Sequence, residues 1–177
     1  MRLREGTTML ALIFLSVILG AVAYNPYDVP PGVVPEVFMG TWDLFRSENL
    51  DEYLEARGFN WIHRQAIENA HITKYIKKVR DNPPVYNIKI VNPRKEIDWT
   101  FQLGKKFTAE WVDDEEYEVK LTYNNVSYKI QVKLTNLTSR QVDIIEFYID
   151  SSKNLVVRFD YGRVTARTYY RRIYKEN

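Results

Sequence analysis

His63 and His71 are the only histidines of the chain and stand eight residues apart. Imidazoles near the end of a helix can share a face, where they would serve a metal ion or a proton transfer. No third ligand stands at a telling spacing, and there is no cysteine. That absence removes disulfides, thiolate zinc sites, iron–sulfur clusters and cysteine nucleophiles together. An enzyme built here would need Asp, Ser or a metal to join the two histidines; two surface histidines are the plainer reading. A second concentration of chemistry lies near the C-terminus, where Arg163, Arg167, Arg171 and Arg172 flank Thr168, Tyr169 and Tyr170. Guanidinium groups match carboxylates bidentately, but the same arginines also describe an exposed basic patch. Asn125-Val126-Ser127 and Asn136-Leu137-Thr138 are N-glycosylation sequons, with Asn125 at an expected hairpin tip.

The elements that must position these residues follow from hydrophobic period. Gly40 to Phe45 reads as a short strand, and Ser47 precedes Leu50, Tyr53, Leu54 and Ala56 at helical spacing, with acidic Glu48, Asp51 and Glu52 in the first turn. Ser47 is the expected cap, and Gly58 ends this helix. A second short helix fits Trp61 to Asn69, with Trp61, Ile62, Gln65 and Ala66 on one side. After His71 the period becomes two. Tyr86, Ile88 and Ile90 alternate, as do Ile97, Trp99, Phe101 and Leu103, then Tyr117 to Tyr123, Tyr128 to Leu134, and Leu155 to Tyr161. Eight to ten half-buried antiparallel strands are expected, in a closed barrel or a sandwich. Closure of eight or more strands leaves room for a small ligand; a solid-cored barrel is the alternative.

The 177 residues carry 25 Lys and Arg against 23 Asp and Glu, a formal charge of +2. This balance offers no basic excess for a phosphate backbone, so no nucleic-acid partner is expected. Arg2 and Arg4 precede an apolar run from Met9 to Val22, followed by Ala21-Val22-Ala23. A basic start, a short apolar core and a small-x-small site read as a secretory signal cleaved after Ala23. The alternative, a membrane anchor, would need about 20 apolar residues. The organisation is then a signal peptide over 1–23, an extended, loosely held leader over 24–36 with Pro26, Pro30, Pro31 and Pro35, and one domain over 37–177. The expected product is soluble and extracellular.

Gly40-Thr41-Trp42-x-Leu44 followed by Asn49-Leu50-Asp51-x-Tyr53-Leu54 resembles the start of the fatty-acid-binding proteins, the intracellular lipid-binding branch of the calycins. Gly58-Phe59-Asn60-Trp61-x-x-Arg64-Gln65 is similar to the second helix of that family, and Phe101-Gln102-Leu103-Gly104-x-x-Phe107 to a mid-barrel motif. Leu50 departs from the aromatic usual there. Gly-x-Trp also occurs in lipocalins; two helices directly after the first strand point to the fatty-acid-binding branch. With an export signal, the chain resembles the secreted nematode group, whose enlarged loops the Asn82-Pro83-Pro84 stretch fits as an elongated turn.

The resemblance implies an all-β fold: a ten-stranded antiparallel up-and-down β-barrel, calycin-like, with a two-helix lid after the first strand. It implies a secreted non-enzymatic carrier, without cofactor and monomeric, that holds a long-chain fatty acid or similar lipid inside. An apolar chain gains about 0.8 kcal/mol per methylene on leaving water. Leu50, Tyr53, Leu54, Trp61 and Phe101 are the expected lid and cavity lining. A lid apolar on its outside, at Gly58, Phe59 and Trp61, provides for transient membrane contact.

The family holds its carboxylate with Arg-x-Tyr on the last strand and an arginine on an earlier one. Aligned from Gly162, these positions fall on Thr168 and Tyr170, with Arg167 one place early; a bulge would turn Arg167 inward. Arg172-Ile173-Tyr174 has the spacing but lies further on. The earlier arginine falls on Glu146, where a carboxylate would repel a fatty acid unless protonated or paired. Tyr170, Arg167 and Thr168 are thus the expected head-group residues. The alternative function is a filled-barrel extracellular module that binds protein or carbohydrate through its loops.

Overall fold

Strands of period two that pair with their neighbours in sequence wrap into a barrel when the first strand also pairs with the last. That is the arrangement found, with a single break between the fourth and fifth strands among the described residues. The structure is a computed structural model and describes residues 25–93 and 95–174. The expected signal, residues 1–23, lies outside the described residues. Ten strands follow in order: β1 (Gly40–Glu48), β2 (Thr73–Asp81), β3 (Pro84–Val91), β4 (Glu96–Phe101), β5 (Lys106–Glu110), β6 (Glu116–Asn124), β7 (Lys129–Asn136), β8 (Val142–Ile149), β9 (Leu155–Tyr161) and β10 (Val164–Ile173). Helices α1 (Leu50–Ala56) and α2 (Trp61–Glu68) separate β1 from β2. The strands form one antiparallel sheet in the order β4-β3-β2-β1-β10-β9-β8-β7-β6-β5.

Among the described residues no ladder joins β4 to β5, the two ends of this order. Side chains close the seam instead. Trp99 on β4 meets Phe107 on β5 edge-to-face at 5.8 Å and Trp111 at 5.2 Å. Aromatic pairs at such distances add about 0.5–1.5 kcal/mol to their burial.

Alternation sorts the strands into an inner and an outer face. Tyr117, Val119 and Leu121 of β6, and Ile130, Val132 and Leu134 of β7, are buried while their neighbours are more exposed. The end of the barrel away from the helices is packed solid around Phe38, Trp42, Ile76, Tyr86 and Ile88. Trp42 Nε1–H donates to the Phe38 carbonyl at 2.9 Å, which holds a short 3-10 turn (Glu36–Phe38) under the barrel. Arg172 reinforces it by donating to the carbonyls of Met39 (2.6 Å) and Val37 (2.7 Å). The third arginine candidate, Arg172, is therefore a strut of the closed end.

Two expectations about connecting segments are corrected. The leader is held, not loose: Val34 N–H donates to the Tyr86 hydroxyl at 3.0 Å, Tyr123 donates to the Tyr27 carbonyl at 2.7 Å, and Tyr27 packs on Tyr128. Its aromatic and carbonyl groups strap it across the β6–β7 hairpin. The Asn82-Pro83-Pro84 stretch is no enlarged loop either. Asp81 pairs with Pro84, so only two residues connect β2 and β3.

α1 starts after Asn49 in a left-handed conformation (φ 51°) with no side-chain cap, and Ser47 remains within β1. Its end is better specified. Gly58 (φ 87°) donates to the Glu55 carbonyl and Phe59 N–H reaches back to Leu54, the double bond of a Schellman termination. Asn60 then caps α2, its side chain accepting from His63 N–H. Among the described residues no helix is long and apolar enough to cross a membrane.

Candidate ligand-binding site

Above the packed base the barrel is hollow. A cavity of about 740 Å³ opens between the helices and the strands, within the range of small-molecule sites. Its roof is the inner side of α1 and α2. Leu50, Tyr53 and Leu54 line it, as expected, joined by Phe59 after the α1 turn. The inner face of α2 is His63, Ala66 and Ile67, the i, i+3, i+4 stripe of an amphipathic helix, continued just past its end by Ala70. Trp61 and Ile62 fall off that stripe and are 65% and 67% exposed. Trp61 is thus on the outside of the lid, not in the lining. Phe101 is buried against Tyr86 in the solid base and does not line the cavity.

The lid is tied to the barrel through α1, and α2 is tied to α1. Arg64 on α2 donates to Asp51 at 2.7 Å and to Glu55 at 3.2 Å, so the two helices move as a pair. Arg57, at the end of α1, donates to Asp143 on β8 at 2.6 Å and lies over the Tyr161 ring. Tyr53 packs on Phe159 of β9, and burial pushes its phenol up to about 12. A neutral Tyr53 at physiological pH adds no negative charge to the roof.

β10 places its expected residues on two faces. Thr168 (3% exposed) and Tyr170 (1%) point inward and line the cavity. Arg167, the residue before Thr168, lies on the outer face, 3.8 Å from Glu48. The bulge that would have turned it inward is on the partner strand: Leu44 pairs with Tyr170 and Arg46 with Tyr169, leaving Phe45 unmatched in β1. β10 itself pairs with β9 without a break. Arg167 therefore does not meet Thr168 and Tyr170. Glu146 is also outside. Lys129 and Gln131 donate to it at 2.7 and 3.1 Å, and Arg158 lies at 3.8 Å. Burial works against its charge, but these bonds outweigh that and hold its carboxyl below the ordinary glutamate value. No carboxylate at this position faces the cavity.

The cation at the inner end of the cavity is Lys74, which the strand reading passed over. It is 5% exposed, its Nζ 4.7 Å from the Tyr170 ring centroid and 5.9 Å from that of Phe147. Burial lowers its ammonium from the ordinary lysine value to about 7. The signal was present in Thr73-Lys74-Tyr75-Ile76, where parity puts Lys74 on the same face as buried Ile76.

The histidines do not form a centre. His71 Nε2 lies 3.0 Å from Asp43, while His63 sits on the lid. Among the described residues no group of three His, Cys, Asp or Glu could hold a metal ion. The sequons differ sharply. Asn125 is exposed in the β6–β7 turn, its amide donating to the Val29 carbonyl. Asn136 is 6% exposed, and its side-chain oxygen accepts from the N–H groups of Thr138 and Ser139.

No family model matches the chain. Individual proteins do. Fatty acid-binding protein homolog 1 of Caenorhabditis elegans is 30% identical over 142 residues, covering 80% of this chain and 88% of that protein. The chain belongs to the fatty-acid-binding protein family. A fatty acid-binding protein homolog of Ascaris suum is 29% identical over 164 residues, covering 89% and 97%. Among solved structures, As-p18, an extracellular fatty acid binding protein, superposes with a TM-score of 0.73 at 27% identity, covering 80% of this chain and 99% of that one. The Schistosoma mansoni fatty acid binding protein in complex with arachidonic acid shares the fold, with a TM-score of 0.69 at 21% identity, covering 80% and 100%. The ten strands and the paired helices are thus those of a fatty-acid-binding protein. At the inner end of the cavity Lys74 accompanies Thr168 and Tyr170.

Proposed function

We propose that this fatty-acid-binding protein is a secreted, monomeric, non-enzymatic carrier of long-chain fatty acids or similar hydrophobic molecules. The observation that carries the reading is the cavity of about 740 Å³, walled by apolar side chains of the helices and strands above a solid base. A hydrocarbon chain entering it leaves water at about 0.8 kcal/mol per methylene. Its relatives are named for fatty-acid binding, and the Schistosoma mansoni protein is in complex with arachidonic acid. Export is supported by Arg2 and Arg4 before the run Met9–Val22 and the Ala21-Val22-Ala23 site. The extracellular As-p18 is consistent with it. Trp61 and Ile62, exposed on the outer side of α2, support brief membrane contact by the lid during transfer.

The test is a titration of delipidated recombinant protein with an environment-sensitive fatty-acid probe, then displacement by oleate and by retinol. A saturable, blue-shifted signal displaced by oleate at one site is expected. Displacement by retinol alone would move the ligand to the retinoids, and no uptake by folded protein would end the carrier reading. Export is tested in eukaryotic cells: protein recovered from the medium should begin at Tyr24. Full-length protein retained in membranes would overturn it.

A further inference from the structure

We propose that Lys74 is the cation that receives the carboxylate of the bound lipid, with the Tyr170 and Thr168 hydroxyls as neutral donors beside it. This inference rests on the carrier reading above and adds what that reading lacks, the group that fixes the ligand's polar end.

Four observations converge. Lys74 is inward on β2, opposite Trp42 of β1 and Ile90 of β3 in the ladders. Its amine therefore stands above the packed base, at the deepest part of the cavity. Thr168 and Tyr170 line the same place from β10, the Thr168 hydroxyl only weakly engaged, 3.5 Å from the Val157 carbonyl. Lys74 is also isolated. No side-chain hydrogen bond or ion pair joins its ammonium to another described residue, and the rings of Tyr170 and Phe147 are its charge-stabilising neighbours. A buried ammonium without a counter-ion is costly unless something anionic is brought to it.

The other nearby cations are already engaged. Arg57 is held by Asp143, and Lys95 by Asp114 and Glu110. Arg167 is outside with Glu48, and Arg172 is spent on backbone carbonyls. The cavity's own carboxylates, Asp113 and Asp114, belong to the loop before β6 at the helix end, and Asp113 accepts from Tyr117. From β1, β3 and β8 the side chains facing Lys74 are apolar; Tyr170 from β10 is the titratable one, and burial keeps it protonated. Among the described residues an anionic head group thus meets one unpaired positive charge and two hydroxyls, with its chain running back toward the lid. A fatty acid fits this order of groups; a fatty alcohol would use the hydroxyls alone.

The experiment compares wild type, Lys74→Met and Lys74→Arg for binding of oleate and of oleyl alcohol, which has the same chain without the charge. Lys74→Met keeps the length of the side chain and removes a buried charge, so it should fold. It is expected to weaken oleate by about 10- to 100-fold and to leave oleyl alcohol unchanged, while Lys74→Arg recovers oleate binding. Oleate binding as tight in Lys74→Met as in wild type would overturn the inference and leave the carrier reading standing. Equal loss of both ligands would also overturn it, since Lys74 would then be wall rather than anchor. Wild type taking up neither ligand would overturn the carrier reading itself.

Discussion

Arg57 and Asp143 face each other across the mouth of the barrel at 2.6 Å, one at the end of α1 and the other on β8, with side chains only 13% and 12% exposed. This is the charge pair that fastens the lid to the far strands. Arg57→Ala leaves Asp143 with Gln141 as its remaining donor and no counter-charge in a largely buried place, costing roughly 1–3 kcal/mol. Oleate should then enter and leave several-fold faster, with a smaller change in Kd. Stopped-flow binding checks this; unchanged rates in a folded variant would show that the lid does not open at this contact.

Lys74 makes the stability of the delipidated protein depend on pH in an unusual direction. Its folded value of about 7 lies below that of a lysine in the unfolded chain. Between the two values the unfolded chain holds a proton that the folded one lacks, so stability rises with pH across that window. Below about 7 both states are protonated and the full burial penalty is present. Thermal melts should show Lys74→Met more stable than wild type at pH 6.5, with the gap narrowing by about 1–3 kcal/mol by pH 9.5. In oleate titrations, wild-type affinity should fall over the same interval and that of Lys74→Arg should not.

Arg172 belongs to folding rather than binding. Its two bonds to Val37 and Met39 and its position 4.4 Å over the Trp42 ring close the base. Arg172→Ala should lower stability by about 2–4 kcal/mol and leave the affinity for oleate nearly unchanged. Gly40 is coupled to it: φ is 130°, and an added Cβ would meet Arg172 Nη1 at 2.9 Å. Gly40→Ala should be destabilising in the same assay.

The β4–β5 seam depends on Trp99, 6% exposed and in contact with Phe107 and Trp111. Trp99→Ala removes the shared member of both pairs and should cost about 3–5 kcal/mol. Hydrogen exchange should rise first in β4 and β5, which lack a ladder to each other. Exchange rising evenly around the barrel would argue against a seam held by side chains.

Expression in a glycosylating cell should give occupancy at Asn125 alone. Its amide is at an exposed turn, whereas that of Asn136 is buried and its oxygen is used by the turn that follows. Mass spectrometry after enzymatic deglycosylation distinguishes the two; a glycan on Asn136 in folded protein would contradict the burial.

Local pattern carried most of the architecture. Period-two runs between Tyr86 and Tyr161 named β3, β4, β6, β7 and β9 but not β5, none of whose residues is fully buried, or β8, whose burial alternates less cleanly, and Gly58 ended the first helix by turn chemistry that acts over a few residues. The order of motifs from Gly40 to Phe107 was enough to point to the family. The contents of the cavity were another matter. Whether Arg167 or Thr168 faces inward depends on where the bulge lies, and it lies at Phe45, more than a hundred residues away in β1. A slip of one residue in a strand exchanges its two faces, so an alignment along β10 alone could not choose. Trp61 was misplaced because a helix of eight residues shows little more than two turns of pattern, and the barrel decides which stripe it covers. Lys74 needed both kinds of information. Its parity with Ile76 is written in the chain, but its isolation from every described carboxylate exists only once ten strands have brought β2, β8 and β10 around one space.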